Sequence, residues 1–198
     1  MPDIDKHNLY ELDILNHVEQ NSRLNNRLAA RKLGVSIKLA HEVLKRMVTK
    51  GLLHVNVVHS RRWDYFLTPK GIAEKTRLTM EFLQFSMHFY REARRRSSQL
   101  CRDLAEAGRK RVAFLGANEL AEIVYLGVQE WDLDLCAVYD DRDAETFMST
   151  RIQPVDELGS GNADAIIVCL YDPRAPTGAH YLPDSVEQTE NMHWVFGR

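Results

Sequence analysis

The 198-residue sequence has only three cysteines, Cys101, Cys136 and Cys169, an odd number with neither paired nor metal-ligand spacing. That argues against a disulfide framework and predicts reduced thiols. The eight histidines are scattered, none in a His-x-x-x-His pair, so no metal site is expected. No apolar run approaches the roughly 20 residues that span a bilayer, and the N-terminus lacks the apolar stretch of a signal peptide. The expected setting is cytoplasmic, without a membrane partner. Lysine is missing altogether after Lys110, and with it any Tyr-x-x-x-Lys pair in the second half. No nucleophile there stands at a recognisable spacing from a base, so an enzyme is not expected.

What is present is divided unevenly. Up to residue 110 the chain holds 21 Lys/Arg against 12 Asp/Glu, and beyond it 5 against 16. The net charge of −2 conceals a basic half joined to an acidic half. A basic half suits a polyanion such as DNA, which would repel the acidic half. The length suffices for two small domains, each with its own core.

The basic half contains one dense stretch, from Asn25 to Gly71. A short helix from Arg27 to Leu33 ends at Gly34, where a left-handed residue is wanted, and Ser36 can cap the next helix. In that second helix Ala40, Val43, Leu44, Met47 and Val48 recur at helical spacing and face the core. Lys38, His41, Glu42, Lys45, Thr49 and Lys50 are then left outside, the first three near the end that enters the major groove in helix-turn-helix proteins; the candidate DNA-binding residues here are Ser36, Lys38, His41, Glu42 and Lys45. Two β-rich runs follow, Leu52 to Val58 and Trp63 to Leu67, joined by a tip carrying Arg61 and Arg62. Guanidiniums there suit phosphate oxygens or a narrow minor groove. The pattern is a helix-turn-helix with a wing, preceded by one helix with an apolar stripe at Leu9, Leu12, Ile14, Leu15 and Val18. Double-stranded DNA is the expected partner.

Thr68-Pro69-Lys70-Gly71 opens a further helix, with Thr68 as cap and Pro69 at the first helical position. No breaker follows before Gly108. Between Leu78 and Tyr90 this helix is apolar nearly all round. One side can cover the winged domain, and the other needs a second surface, most simply the same helix of a second chain. A homodimer is expected. The Arg94-Arg95-Arg96-Ser97-Ser98 run reads as a solvated hinge, a place for the helix to break.

The acidic half alternates short apolar strands with helical stretches: Arg111 to Leu115, a helix to about Trp131, Leu133 to Tyr139, and Ala165 to Leu170. That pattern predicts a Rossmann-like parallel sheet covered on both faces. The dinucleotide fingerprint, Gly-x-Gly-x-x-Gly/Ala with an acid closing the second strand, is met by Gly116, Ala121 and Asp140 but has Asn118 at its second glycine. The candidate ligand residues are Gly116, Asn118, Glu119, Leu120, Asp140 and Asp141. Two readings stand: a nucleotide-type ligand, with NAD(H) favoured over its 2′-phosphorylated form by Asp140, or a structural domain without ligand.

Leu33-Gly34-Val35-Ser36, Lys50-Gly51-Leu52 and Tyr65-Phe66-Leu67-Thr68-Pro69-Lys70-Gly71-Ile72 resemble winged-helix regulators of the MarR type, in particular the branch found with exopolysaccharide gene clusters. The resemblance implies a dimeric DNA-binding transcriptional regulator. From Val112 to Cys169 the chain is similar instead to small Rossmann-like domains, including those of Rex redox repressors and the nucleotide-binding modules of sugar-modifying acyltransferases. Winged helix followed by Rossmann-like domain is the Rex order, which implies a ligand-gated repressor. The expected architecture is α/β multidomain: a winged helix-turn-helix over 1–68, a long connecting and dimerisation helix over 69–108, and a Rossmann-like parallel-sheet domain over 109–198. The alternatives are an enzyme acting on a nucleotide sugar or nicotinamide, and a protein-interaction scaffold using the winged half.

Overall fold

The computed structural model describes residues 5–59, 62–141, 145–159, 161–171, 182–183, 186 and 188–196. The chain divides into two compact units, 1–86 and 87–198.

Unit 1 begins with three helices, α1 (Lys6–Gln20), α2 (Asn26–Leu33) and α3 (Ile37–Thr49). Each has a side-chain cap that supplies an acceptor to an N–H the helix leaves unpaired. Asp5 accepts from His7 N, Asn25 from Leu28 N, and Ser36 from Leu39 N at 3.2 Å. Gly34 ends α2 with φ at 62°, the left-handed conformation glycine adopts without steric cost. The chain therefore turns sharply, and the apolar stripes of all three helices meet around Ile14, Leu15, Leu33, Leu44 and Met47, all buried.

β1 (Leu53–His59) and β2 (Arg62–Leu67) form an antiparallel hairpin, and Tyr65 N donates to Ser22 O, tying β2 to the α1–α2 connection. Helix α4 (Pro69–Glu106) starts in unit 1, where Leu78 is buried in the three-helix core. Its start is seated on the end of α3. Thr68 Oγ1 donates to Gly51 O at 2.6 Å and accepts from Gly71 N at 2.9 Å, while Lys70 Nζ donates to Lys50 O. A Cβ at Gly71 would lie 2.0 Å from Leu52 O, a backbone atom that cannot step aside. Glu11, buried on α1, takes Lys50 Nζ at 2.6 Å and Arg46 Nε at 3.6 Å, so its charge is compensated inside the protein.

In unit 2, α4 runs unbroken past Arg94–Ser98, which corrects the expectation of a hinge there. Each arginine has a partner: Arg94 bonds Glu130, Arg95 and Arg96 both bond Glu92, and Arg96 also lies over the Phe196 ring. Ser97, expected in a solvated stretch, is buried and donates to Ala93 O. The helix stops at Gly108, with φ at 76°.

Then come β3 (Arg111–Leu115), α5 (Glu119–Glu130), β4 (Asp134–Tyr139), the hairpin β5 (Thr146–Phe147) and β6 (Thr150–Gln153), a 3-10 turn (Val155–Glu157), β7 (Ala165–Val168) and β8 (Met192–Trp194). The sheet order is β5-β6-β4-β3-β7-β8, parallel throughout except for β5 against β6. The order reverses at β3, as in Rossmann-like sheets.

The two faces differ. Val112 and Phe114 pack under α4 and α5, which approach so closely that a Cβ on Gly127 would sit 3.1 Å from Cys101 Sγ. Ala113, Leu115 and Tyr139 face the other way, toward Val155, Leu158, Leu182 and Trp194. Cover on both faces was expected, and among the described residues the second face is covered by the 3-10 turn and irregular chain. After β4 the chain turns back at Met148 and Ser149, both with positive φ, to form the β5–β6 hairpin. Cys101 and Cys169 are buried thiols, and burial pushes Cys101 up to about 12, leaving it unreactive.

Gly71→Ala is expected to lower the urea midpoint at unchanged slope, with a cost of about 1–3 kcal/mol or more; an unaltered midpoint would mean that α4 does not seat on Leu52. Bonds from Arg95 and Arg96 hold the Glu92 carboxyl at about 2, against an ordinary 4.5. Because the folded value is the lower one, this interaction stabilises α4 above pH 4.5 and is lost as pH falls through about 2. A carboxyl titration of Glu92 by NMR with its midpoint near 4.5 would show that the two arginines are not engaged.

Candidate functional site

The outer face of α3 follows from its inner one. With Ala40, Val43, Leu44 and Met47 buried, helical spacing leaves Lys38, His41, Glu42 and Lys45 exposed along one stripe. Ser36, at its head, is exposed but has its oxygen engaged in capping. Arg61 lies outside the described residues; Arg62 is placed by its backbone, opposite His59 in the hairpin.

Some cations of the basic unit are engaged within the chain and others are not. Arg46, Lys50, Lys75 and Arg77 each engage a carboxylate. Lys38 and Lys45 have no carboxylate partner among the described residues. Two cations on an exposed helix face, without a carboxylate partner among the described residues, are available to an external anion. His41 Nδ1 lies 3.2 Å from Asn26 Nδ2, which joins the stripe to the start of α2.

Sequence reasoning missed three features here. Ile37, the first residue of α3, is 53% exposed, an apolar side chain beside Lys38. Trp63 and Val57 face one another across the hairpin and are both exposed. They continue the side of the hairpin on which Val55 and Tyr65 face the core, one step beyond its cover. A cleft of about 300 Å³ results between α3 and the hairpin, lined by Leu44, Lys45, Val48, Val55, Trp63 and Tyr65. Strict alternation at 53, 55, 57 and 63, 65, 67 was the signal for it.

The second candidate site is the loop after β3, at the reversal of strand order where α/β sheets take ligands. Gly116, with φ at 101°, donates from N to Tyr139 O. Asn118, 7% exposed, accepts through Oδ1 from Leu120 N at 3.0 Å and Ala121 N at 3.1 Å, and donates through Nδ2 to Cys169 O at 2.8 Å. Asp140 Oδ2 accepts from Ala117 N at 2.6 Å. Glu119 accepts from the Tyr171 hydroxyl, Asp141 from Val155 N, and Leu120 is buried in the core.

A phosphate at this position needs free N–H groups and the positive end of the helix dipole. Here the N–H groups of Ala117, Leu120 and Ala121 are taken by side chains, and Glu119 and Glu122 place carboxylates in the first helical turn. Those three donors are therefore not available to a phosphate as the loop stands. A cavity of about 420 Å³ lies on the other face, against Val155, Leu158, Ile166 and Met192, and its lining includes none of the six candidate ligand residues.

Residues 8–53 match the family model for winged helix-turn-helix DNA-binding domains. The N-terminal unit is a winged helix-turn-helix. No curated protein matches the chain. Among solved structures, the PcaV transcriptional regulator from Streptomyces coelicolor is similar at 23% identity over 40% of this chain and 60% of its own, with a TM-score of 0.37. MepR, a transcription regulator of the Staphylococcus aureus multidrug efflux pump MepA, is similar at 18% identity over 44% of this chain and 63% of its own, with a TM-score of 0.37. The chain thus spans less than two thirds of either regulator. Human N-acetylserotonin methyltransferase, solved with SAM, is similar at 12% identity over 82% of this chain and 65% of its own, with a TM-score of 0.32. Among the described residues, no helix of this winged protein is long and apolar enough to cross a membrane.

Proposed function

We propose that the chain is a cytoplasmic transcriptional regulator of the MarR type that binds double-stranded DNA as a homodimer. The observation that carries the reading is the stripe Lys38, His41, Glu42 and Lys45, capped, exposed and, among the described residues, with no carboxylate partner for its lysines. In this reading α3 enters the major groove, Lys38 and Lys45 reach phosphates or base edges, Ile37 meets a thymine methyl, and Arg61 and Arg62 reach the flanking backbone.

The second chain is argued from α4. Met80, Leu83, Met87 and Tyr90 are 44–51% exposed and follow one another at spacings of three, four and three. That is the seam of a left-handed helix pair, and an unpartnered seam leaves a large apolar strip in water. A second copy of the same helix covers it and sets two α3 helices at a fixed separation, as a half-site pair requires. The sign of regulation is taken as repression by resemblance, and the exopolysaccharide context supplies the DNA to try beside that upstream of the chain's own gene.

Fluorescence anisotropy across a salt series tests the DNA reading. Lys38→Ala with Lys45→Ala is expected to weaken binding and to flatten the log–log salt slope by up to about 2. Unchanged affinity and slope would remove α3 from the interface. Failure of the intact protein to bind any duplex, with a stable protein complex in its place, would favour the scaffold, and turnover of a nucleotide sugar would favour the enzyme. Met80→Glu with Leu83→Glu should convert a dimer to a monomer in sedimentation equilibrium and lower affinity for a two-half-site duplex; a dimer that survives both charges would place the interface elsewhere.

A further inference from the structure

We infer that the loop after β3 is closed to the phosphates of a nucleotide by the chain's own side chains, with Asn118 as the lock. In a dinucleotide site the second glycine lets the pyrophosphate approach the backbone, and the helix N-terminus donates its free N–H groups to it. Asn118 stands at that glycine and reverses both conditions. Its Cβ and amide occupy the approach, and its Oδ1 takes two N–H groups, those of Leu120 and Ala121.

The asparagine is itself held. Nδ2 donates to Cys169 O, which bridges the loop after β3 to the end of β7 across the point where the strand order reverses. Releasing Oδ1 to a ligand would require the side chain to rotate and leave that carbonyl unpaired in the interior, where Cys169 is fully buried. The third donor, Ala117 N, is occupied by Asp140. This is the carboxylate that in a nucleotide site would accept from a ribose hydroxyl, and here one of its oxygens is spent on the loop backbone.

Electrostatics act in the same direction. Glu119 and Glu122 in the first turn of α5 and Asp140 beside the loop set three carboxylates around the helix N-terminus. They stabilise the helix dipole and repel an incoming phosphate. Glu119 is fixed by the Tyr171 hydroxyl at 2.8 Å. Three of the loop's N–H groups, those of Ala117, Leu120 and Ala121, are thus engaged within the chain.

Amide hydrogen exchange and amide chemical shifts of the full chain test this. In the wild type the N–H groups of Ala117, Leu120 and Ala121 are expected to be protected, and NADH, ATP or UDP-glucose at about 1 mM should shift none of them. In Asn118→Ala the Leu120 and Ala121 amides should exchange at least about tenfold faster while Ala117 keeps its protection. Saturable shifts of these amides with any of the three compounds would overturn the inference, and so would wild-type Leu120 and Ala121 amides that exchange as freely as those of an uncapped helix. The wild type decides both points even if the variant fails to fold. Nucleotide binding at the loop would leave the DNA-binding reading untouched, because that reading is tested on unit 1 by anisotropy.

Discussion

Two backbone carbonyls, those of Gly51 and Leu52, hold the winged unit together where three elements meet. α3 has just ended, β1 is about to begin, and α4 is brought back against both by Thr68 and Gly71. The contact is short because residue 71 has no side chain, and directional because Thr68 both donates to the carbonyls and accepts from the helix. Glu11 completes the joint from the α1 side by neutralising Lys50 and drawing in Arg46. The angle of α3, and so the direction of its outer stripe, depends on this cluster of bonds more than on the apolar core. An apolar contact tolerates sliding, whereas a carbonyl with a fixed donor does not.

The same principle separates surface that is available from surface that is used up. The sequence shows many cations in the first half, but the structure sorts them. Arg46, Lys50, Lys75, Arg77 and the Arg94–Arg96 run are engaged by carboxylates within the chain, while Lys38 and Lys45 have none among the described residues. In the second half, the loop after β3 has a glycine, a helix N-terminus and a closing acid, yet its donors are spent on Asn118 and Asp140. A basic run and a near-match to a nucleotide fingerprint are both statements about composition. Whether either can bind anything depends on the hydrogen bonds left over.

Much of the fold was legible. Caps at Ser36 and Thr68, the left-handed turn at Gly34 and the stop at Gly108 are local events, written in residues whose chemistry suits only a few backbone conformations. The strands at 111–115, 134–139 and 165–168 were legible because strands buried on both faces are continuously apolar. Less legible were the partners of Arg94, Arg95 and Arg96. A triplet of arginines looks solvated until Glu92 and Glu130 are placed beside it, and Glu130 lies on another helix. The cleft beside Trp63 and the uneven cover of the sheet were hidden for the same reason, since each depends on which element ends first.

By itself the sequence determined the kind of each unit: helical period, strand alternation and turn residues specify a winged helix-turn-helix and a Rossmann-like sheet, because these signals act within a few residues of one another. It also determined which side chains of α3 face outward, since the inward set has only one helical solution. Only the tertiary structure decided which of the charged and polar groups remain free. That choice is made by residues far apart in the chain, Asn118 with Cys169, Asp140 with Ala117, Glu11 with Lys50, and a hydrogen bond is decided by position in space.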